Sequence, residues 1–145
     1  MTLFARRFPA KLGLLSEITA FVKACAEEFD PTLMSRVALV LEEAFVNICN
    51  YAYPESGGNI EIRCGRDETF FTIEIFDWGM PFDPLTLSEP DIELDVAERG
   101  IGGLGVHFIR SFSDAVSYRR ENGCNILHAD FRMNHAGGVN AGNRS

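Results

Sequence analysis

Leu39-Val-Leu-Glu-Glu-Ala-Phe-Val-Asn-Ile-Cys-Asn-Tyr-Ala-Tyr53 is a stretch whose apolar residues recur at helical spacing. The pattern predicts a helix that is buried on one broad face. Glu43 and Asn47 lie four residues apart within it, so both side chains project from one side of the helix, one turn apart. A carboxylate and an amide beside an apolar stripe must reach water or be satisfied by something specific. Taken alone, the helix is explained more often by an ordinary polar edge.

Length and composition indicate one globular domain with its own core. The chain has 145 residues, of which 46% are hydrophobic and 23% are charged, as in soluble domains generally. The formal net charge of -8 argues against binding to nucleic acid or to an anionic membrane surface, because both require a cationic face. No apolar run approaches the roughly 20 residues of a membrane span, and residues 1–11 lack the apolar core of a secretory signal. We therefore expect a cytoplasmic protein with no nucleic-acid or membrane partner.

The four cysteines are far apart and form no CxxC pair, which disfavours a zinc site. Buried, reduced thiols in a cytoplasmic protein are the simplest expectation for them. The three histidines show no ligand spacing either. These residues are Cys25, Cys49, Cys64 and Cys124, and His107, His128 and His135.

The order of predicted elements points to an α+β fold, a two-layer α/β sandwich with helices on one face of a mixed, mainly antiparallel sheet. Asp30 is expected to cap the helix that contains the opening stretch, with Pro31 at its first position and Pro54 after its end. We expect one domain over residues 1–134 and a disordered tail over 135–145, which is rich in Gly and Asn. The other predicted helices are Lys11–Phe29 and Val106–Ser113, and the predicted strands are Leu3–Ala10, Ile60–Cys64, Phe70–Phe76, Asp114–Arg120 and Asn125–Phe131.

The segment Phe82–Gly100 differs from the rest of the chain. It contains six acidic residues and two prolines with little periodicity. Long segments of this kind are often functional lids or binding loops. A solvated loop without a role fits the composition equally well.

Two further pieces carry chemistry. Asp77-x-Gly79 follows a predicted strand, and Gly100-Ile-Gly-Gly-Leu-Gly105 precedes a predicted helix. Glycines at a helix start can cradle phosphate, because free backbone N–H groups and the positive helix end face the anion. The glycines do not directly follow a strand, as in a Rossmann loop, and no Lys-Ser or Lys-Thr follows them, as in a P-loop.

In this order, the pieces resemble the RsbW-like anti-sigma-factor kinases of bacterial partner-switching systems. Those kinases belong to the Bergerat-fold group of ATPases, which includes histidine kinases, DNA gyrase and heat-shock chaperones. The resemblance covers roughly residues 4–132. It rests on three segments that look like the three ATP motifs of the family: Glu43-Ala-Phe-Val-Asn47 with Tyr51-Ala-Tyr53, Asp77-Trp-Gly79 with Pro81-Phe-Asp-Pro84, and Gly100–Gly105 with Val106-His-Phe-Ile-Arg110.

The resemblance implies ATP and Mg²⁺ as cofactors and a role for each motif residue. Asn47 would coordinate Mg²⁺ through its amide oxygen, and Glu43 would accept the proton of the substrate hydroxyl or orient that hydroxyl. Asp77 would accept a hydrogen bond from the adenine amino group, and Gly79 would let the chain pass close to the base. The neighbouring Glu42 lies off the face of Asn47, so Glu43 is preferred as the base.

The third motif would bind the phosphates. Gly102, Gly103, Leu104 and Gly105 form the implied phosphate loop, the acidic segment would be the lid over ATP, and Arg99 could stabilise charge on the transferring phosphate. Two positions depart from the family pattern. Pro81 stands where many relatives have glycine, and Asn125 is the nearest equivalent of a small hydroxyl residue that supports the adenine.

The implied activity is that of a serine/threonine protein kinase. It would phosphorylate a STAS-domain anti-sigma-factor antagonist and bind a sigma factor or another regulatory target, and relatives often form homodimers. The alternative is a non-catalytic module whose protein binding is switched by nucleotide. Such a module would have less need for a base at Glu43. A histidine-kinase fragment ranks lower because the chain lacks room for a helical dimerisation segment with an acceptor histidine, and a topoisomerase or chaperone ranks lower still. A domain that no longer binds nucleotide is disfavoured because Asn47, Asp77 and the glycines are all present.

Overall fold

A computed structural model describes residues 3–26, 31–53, 57–86 and 105–133 of the chain. The predicted tail over 135–145, the proposed cap Asp30 and most of the acidic segment lie outside the described residues. Within them, three α-helices are present: α1 (Leu15–Cys25), α2 (Pro31–Asn47) and α3 (Gly105–Phe112). Five strands accompany them: β1 (Leu3–Pro9), β2 (Asn59–Arg66), β3 (Phe70–Asp77), β4 (Ala115–Glu121) and β5 (Cys124–Arg132).

The five strands form one sheet in the order β1-β2-β3-β5-β4, and each neighbouring pair is antiparallel. The mainly antiparallel sheet is confirmed, while the parallel pairing that a mixed sheet requires is absent from the described residues. A connection through a helix typically joins parallel neighbours. Here α3 connects β3 to β4, but β4 takes the outer position and the hairpin returns β5 antiparallel to β3. Strands β3 and β4 therefore run in the same direction without touching as a pair.

The β4–β5 hairpin turns at Asn122 and Gly123. Both residues have positive φ, 53° and 75°. An Asn-Gly pair is the preferred sequence for such a two-residue turn, since both residues tolerate the left-handed region. The turn joins the two strands that the sequence predicts over Asp114–Arg120 and Asn125–Phe131, and it fixes the register that places Arg120 opposite Asn125.

The core lies between the helices and one face of the sheet, which confirms the two-layer α+β arrangement. Ile18 and Val22 of α1 and Val37, Leu41 and Phe45 of α2 are fully buried. The facing sheet residues are also apolar and buried: Ile60, Ile62, Cys64, Phe71, Ile73, Ile75, Leu127, Ala129 and Phe131.

The opposite face of the sheet is largely polar. Glu61 accepts hydrogen bonds from Arg7 at 3.0 Å and from Arg63 at 2.6 Å. The ring of His128 lies 3.0 Å from Glu74 and 3.0 Å from Asp130. This alternation of inward apolar and outward polar residues is typical of an antiparallel sheet that is covered on one side.

Helix α2 begins at Pro31, as predicted, and continues beyond Asn47 as a short π-helix, Ile48–Ala52. The amide of Tyr53 donates to the carbonyl of Ile48 at 3.0 Å, which is the i→i+5 bond of this geometry. Short π-helical turns within α-helices are frequent at functional sites. The helical path therefore extends to the position expected from the sequence, with a wider last turn.

The π-helix is fixed against the end of β3. The amide of Met80 donates to the carbonyl of Ala52 at 3.0 Å. The Tyr53 hydroxyl accepts from the Trp78 amide at 2.7 Å and donates to the Asn59 carbonyl at 2.8 Å. These bonds connect the end of the helix to β2 and to the segment that follows β3.

All four cysteines have free thiols. In the described part of the chain, none of the helices combines the length and the apolar character that crossing a membrane would require.

We predict that Gly79→Ala destabilises the fold by about 1–3 kcal/mol, because overpacking in a tight contact has costs of this order. A Cβ at Gly79 would lie 2.3 Å from the Ala52 carbonyl oxygen, which is backbone and has little room to move. Urea unfolding measures the change. The control is Gly13→Ala, because a Cβ at Gly13 has no atom within 4 Å. Equal stability of the two variants would contradict a close packing role for Gly79.

Candidate functional site

Three polar residues of helix α2 differ in how deeply they are buried. Glu42 is exposed, Glu43 is half-buried, and Asn47 is fully buried at 0% exposure. The helical spacing of the apolar residues dictates this order, because it turns Asn47 toward the sheet and leaves Glu42 outside. Of the two adjacent carboxylates, Glu43 is the one nearer the interior.

Asn47 is buried without being satisfied. Neither its Nδ2 nor its Oδ1 has a hydrogen-bond partner among the described residues. A buried polar group without a partner costs about 1–3 kcal/mol, so such groups in a folded domain call for an explanation. An amide oxygen is a hard ligand of the kind that Mg²⁺ takes. The residue present therefore fits a divalent cation, and Asn47 is the residue that would hold it.

The pKa of Glu43 is raised by two features of its surroundings. Burial raises the pKa of its carboxyl, and the neighbouring charge of Glu42 raises it further. A carboxylate with a raised pKa is a stronger base than an ordinary one. Glu43 is thus suited to accepting a proton.

A pocket brings the helix motif and the strand motif together. Asn47 of α2 and Asp77 at the end of β3 both line it, although they are 30 residues apart. The remaining lining is mainly apolar, as is typical of small-molecule sites. It comprises Ala44, Ile48, Ile75, Phe82, Pro84, Tyr118, Asn125 and Leu127.

Two rows of the sheet form the floor of this pocket. Asp77 pairs with Asn125, and Ile75 pairs with Leu127, between β3 and β5. On the far side of β5, Tyr118 is opposite Leu127. Residues opposite each other across neighbouring strands share one face. The register therefore places an apolar row next to a polar row that lies at the ends of the strands.

Asp77 is held through one of its two oxygens. Its Oδ1 accepts from the Gly79 amide at 3.0 Å and from Asn125 Nδ2 at 2.8 Å. No hydrogen bond within the described part of the chain uses Oδ2, which leaves that oxygen for a ligand. Burial raises the pKa of Asp77, while the bonds from Asn125 and Gly79 and the charge of Arg120 oppose that rise.

Asn125 is more central than the sequence indicated. Its Nδ2 also donates to the Met80 carbonyl at 2.8 Å. Its Oδ1 accepts from the Phe82 amide at 3.3 Å and from the Tyr118 hydroxyl at 2.5 Å. The sequence marked this position only as a departure from the hydroxyl residue of the family. Tyr118 was not singled out, because one tyrosine in an edge strand carries no signal of its own.

The segment after Gly79 covers one side of the pocket. The rings of Phe82 and Tyr51 stack at 5.0 Å between centroids. Arg110 of α3 donates to the Leu85 carbonyl at 2.8 Å. Pro81 precedes this segment, where many family members have glycine, and it does not prevent the close contact at Gly79.

Only part of the third motif is described. Gly105 is the first residue of α3, at the helix start where the glycine cluster was expected to end. Arg99, Gly102, Gly103 and Leu104 lie outside the described residues, as does most of the proposed lid. Their roles stay predictions.

With this geometry, a comparison with protein families gives a match over most of the chain. The histidine kinase-like ATPase domain matches residues 8–131. The chain belongs to the histidine kinase-like ATPase family. The match places α2, the end of β3, α3 and the β4–β5 hairpin within one family domain, and it confirms the resemblance that the motifs indicated.

Curated members of this family with similar sequences are named as kinases. The serine/threonine-protein kinase BtrW of Bordetella bronchiseptica is 27% identical over 105 residues, covering 72% of this chain and 74% of BtrW. The serine-protein kinase RsbW of Bacillus mycoides is 30% identical over 98 residues, covering 65% of this chain. The match spans about three-fifths (61%) of the length of that RsbW protein.

A solved structure of the same fold is also similar. A chain of the SiaB-SiaC complex from Pseudomonas aeruginosa superposes with a TM-score of 0.54 and 19% sequence identity, and the match covers 89% of each chain. At this identity the likeness concerns the fold alone, and it confirms the α+β architecture of the family.

We predict opposite effects on stability for the two buried asparagines. Asn47→Leu removes two polar atoms that have no partner in the described part of the chain, and it should raise the free energy of unfolding by about 1–3 kcal/mol. It should also abolish Mg²⁺-dependent ATP binding. Asn125→Leu should lower the free energy of unfolding by a similar amount, because it leaves the partners of a satisfied amide unpaired. Urea unfolding and calorimetry with and without Mg²⁺ measure both. Normal Mg²⁺-dependent binding by Asn47→Leu would show that Asn47 does not hold the metal.

Asp77→Asn is expected to separate stability from binding. The pKa of Asp77 is raised in the folded state above its ordinary 3.8, so ionisation costs folding energy once the pH exceeds that ordinary value. The variant should therefore be more stable at pH 7 by an amount on the order of 1 kcal/mol, with the gain disappearing in strong acid.

The same variant should bind ATP more weakly, because an amide is a poorer acceptor for the adenine amino group than a carboxylate. Unfolding at pH 7 and pH 3, with ATP calorimetry at pH 7, tests both statements. Unchanged ATP affinity would show that Asp77 does not contact the adenine base.

Proposed function

We propose that this chain is an ATP-dependent serine/threonine protein kinase of a bacterial partner-switching system. In this proposal it transfers the γ-phosphate of ATP to a hydroxyl of a STAS-domain anti-sigma-factor antagonist. It also binds a sigma factor or another regulatory target. The names of the curated relatives support the reaction class, and the site geometry supports the use of ATP.

One observation carries the proposal: a buried Asn47, with no hydrogen-bond partner among the described residues, lies one helical turn after a half-buried Glu43. A domain that folded only for stability would gain from an apolar residue in place of Asn47. The amide instead lines the same pocket as Asp77. Helix α2 thus offers a cation ligand and a base beside a site for a nucleobase.

The pocket suits the adenosine part of ATP. Its apolar row would contact the faces of a flat base, and the free Oδ2 of Asp77 would accept from the exocyclic amino group. A cation held by Asn47 would neutralise phosphate charge, which is the contribution of Mg²⁺ in phosphoryl transfer. The implied phosphate contacts of Gly102, Gly103, Leu104 and Gly105, and the charge of Arg99, belong to the same proposal.

Glu43 would act on the protein substrate. Its carboxylate would accept the hydroxyl proton, or orient the hydroxyl, as the oxygen attacks the γ-phosphorus. Its raised pKa makes it a better acceptor. The rate of transfer should consequently fall on acidification at a higher pH than for an ordinary glutamate.

Partner and location belong to the proposal as well. The SiaB-SiaC structure is a complex of two proteins, and one of its chains has the fold described above. A STAS-domain partner, a sigma factor and a homodimer are part of the proposal because the motifs resemble those of the RsbW-like anti-sigma-factor kinases. A cytoplasmic location fits an enzyme that consumes ATP.

We predict that Glu43→Gln retains ATP binding and loses phosphotransfer. The amide cannot accept a proton, and removing a general base typically costs about 10²–10⁴-fold in rate. The measurement is transfer from γ-labelled ATP to STAS-domain proteins of the same organism, with ATP affinity measured in parallel. Glu42→Gln is the matched control, because it makes the same change on the exposed neighbour.

The outcomes separate the two functions that the motifs allow. Transfer by the wild type that is lost only in Glu43→Gln supports the kinase. Nucleotide-dependent partner binding without transfer, unchanged in Glu43→Gln, supports the switched binding module. Normal transfer by Glu43→Gln would show that Glu43 is not the base.

A further inference from the structure

Three residues form a polar row across three neighbouring strands, where β3 and β4 end and β5 begins. Asp77 of β3 is opposite Asn125 of β5, and Asn125 is opposite Arg120 of β4. Opposed residues on adjacent strands have Cβ atoms about 4.5–5.5 Å apart on one face. The register alone therefore brings a carboxylate, an amide and a guanidinium into contact in that order.

The amide in the middle of this row has no capacity left for a ligand. Asn125 Nδ2 donates both of its hydrogens, to Asp77 and to the Met80 carbonyl. Its Oδ1 receives three donors, from Phe82, Tyr118 and Arg120. Because donors converge on Oδ1 and acceptors on Nδ2, the orientation of the amide is fixed by its surroundings. Asn125 consequently holds Asp77 rather than contacting a base itself.

Arg120 holds the amide and the turn after β3 together. A single nitrogen, Nη1, donates to Asn125 Oδ1 at 2.9 Å and to the Gly79 carbonyl at 3.0 Å. Gly79 in turn donates its amide to Asp77 Oδ1. Both groups that hold Oδ1 of Asp77 are therefore connected to the same guanidinium, although Arg120 is itself exposed.

The neighbouring Arg119 provides a contrast. It lies on the other side of β4, where it contacts Glu74 at 3.9 Å and Glu121 at 3.3 Å. The two arginines are adjacent and equally charged, yet only Arg120 reaches the row that contains Asp77.

We propose that Arg120 is a positioning residue for base recognition: through Asn125 and Gly79 it fixes Asp77 so that Oδ2 faces the exocyclic amino group of the base. This inference rests on the proposed use of ATP. It assigns the selectivity for a 6-amino purine to a three-strand row that begins at an exposed edge strand, outside the pocket lining.

The experiment compares two ligands on matched variants. ATP carries the 6-amino group, and its 6-deamino analogue, purine riboside triphosphate, lacks it. The wild type should prefer ATP by about tenfold, the value of one good hydrogen bond to a charged group. Arg120→Met should lose most of that preference, weakening ATP binding while leaving the affinity for the analogue nearly unchanged.

Two further variants sharpen the test. Arg119→Met makes the same change in charge and shape on the opposite face, and it should retain the preference of the wild type. Arg120→Lys, whose single nitrogen can still donate to both acceptors, should restore most of it. Thermal unfolding of each variant identifies any loss of fold. Such a loss would weaken the binding of both ligands equally.

Each outcome bears on a different statement. A wild type that binds neither ligand overturns the proposed use of ATP and this inference with it. A wild type that prefers ATP, with the same preference in Arg120→Met, leaves the use of ATP intact and overturns the role of Arg120. An equal loss for both ligands in Arg120→Met also overturns it, because the effect would then be on the whole site.

Discussion

The close contact between Ala52 and Gly79 is the constraint on which the site depends. It requires a residue without a side chain at position 79, and it carries a backbone hydrogen bond between Met80 and Ala52. It connects the end of the long helix to the end of the central strand. Because Asn47 precedes this contact by little more than one turn and Asp77 precedes it by two residues, holding the two backbones together also fixes the distance between the two polar side chains.

The two buried asparagines show how hydrogen bonding separates binding from positioning. Asn125 is fully partnered within the protein, so its role is to hold its neighbours in place. Asn47 has no partner among the described residues, so it retains its full capacity for an external group. The first stabilises the fold and the second costs stability. In the proposed function, the free energy of folding that Asn47 costs is given up for ligand binding.

The sheet contributes chemistry through its register. Opposed pairs in β3, β5 and β4 place an apolar row beneath a polar row at one edge of the sheet. The polar row includes a carboxylate whose burial works against its ionisation, and an exposed arginine that favours the ionised form. In the proposed function, recognition of a base depends on three strands together, and the hairpin turn at Asn122 and Gly123 sets the alignment of two of them.

The helices and strands were predictable from the amino-acid sequence, because helical spacing, strand alternation and turn residues are local patterns with local physical causes. Residue type and order also predict roles for Glu43, Asn47, Asp77 and the glycine motifs. Three facts became visible only in the folded chain: the sheet is antiparallel between all described neighbours, Asn47 lacks a partner among the described residues, and Asn125, Tyr118 and Arg120 converge near Asp77. Those facts depend on strand order and register, which arise from packing between segments far apart in the chain. No local pattern encodes them, because each of these residues on its own is ordinary.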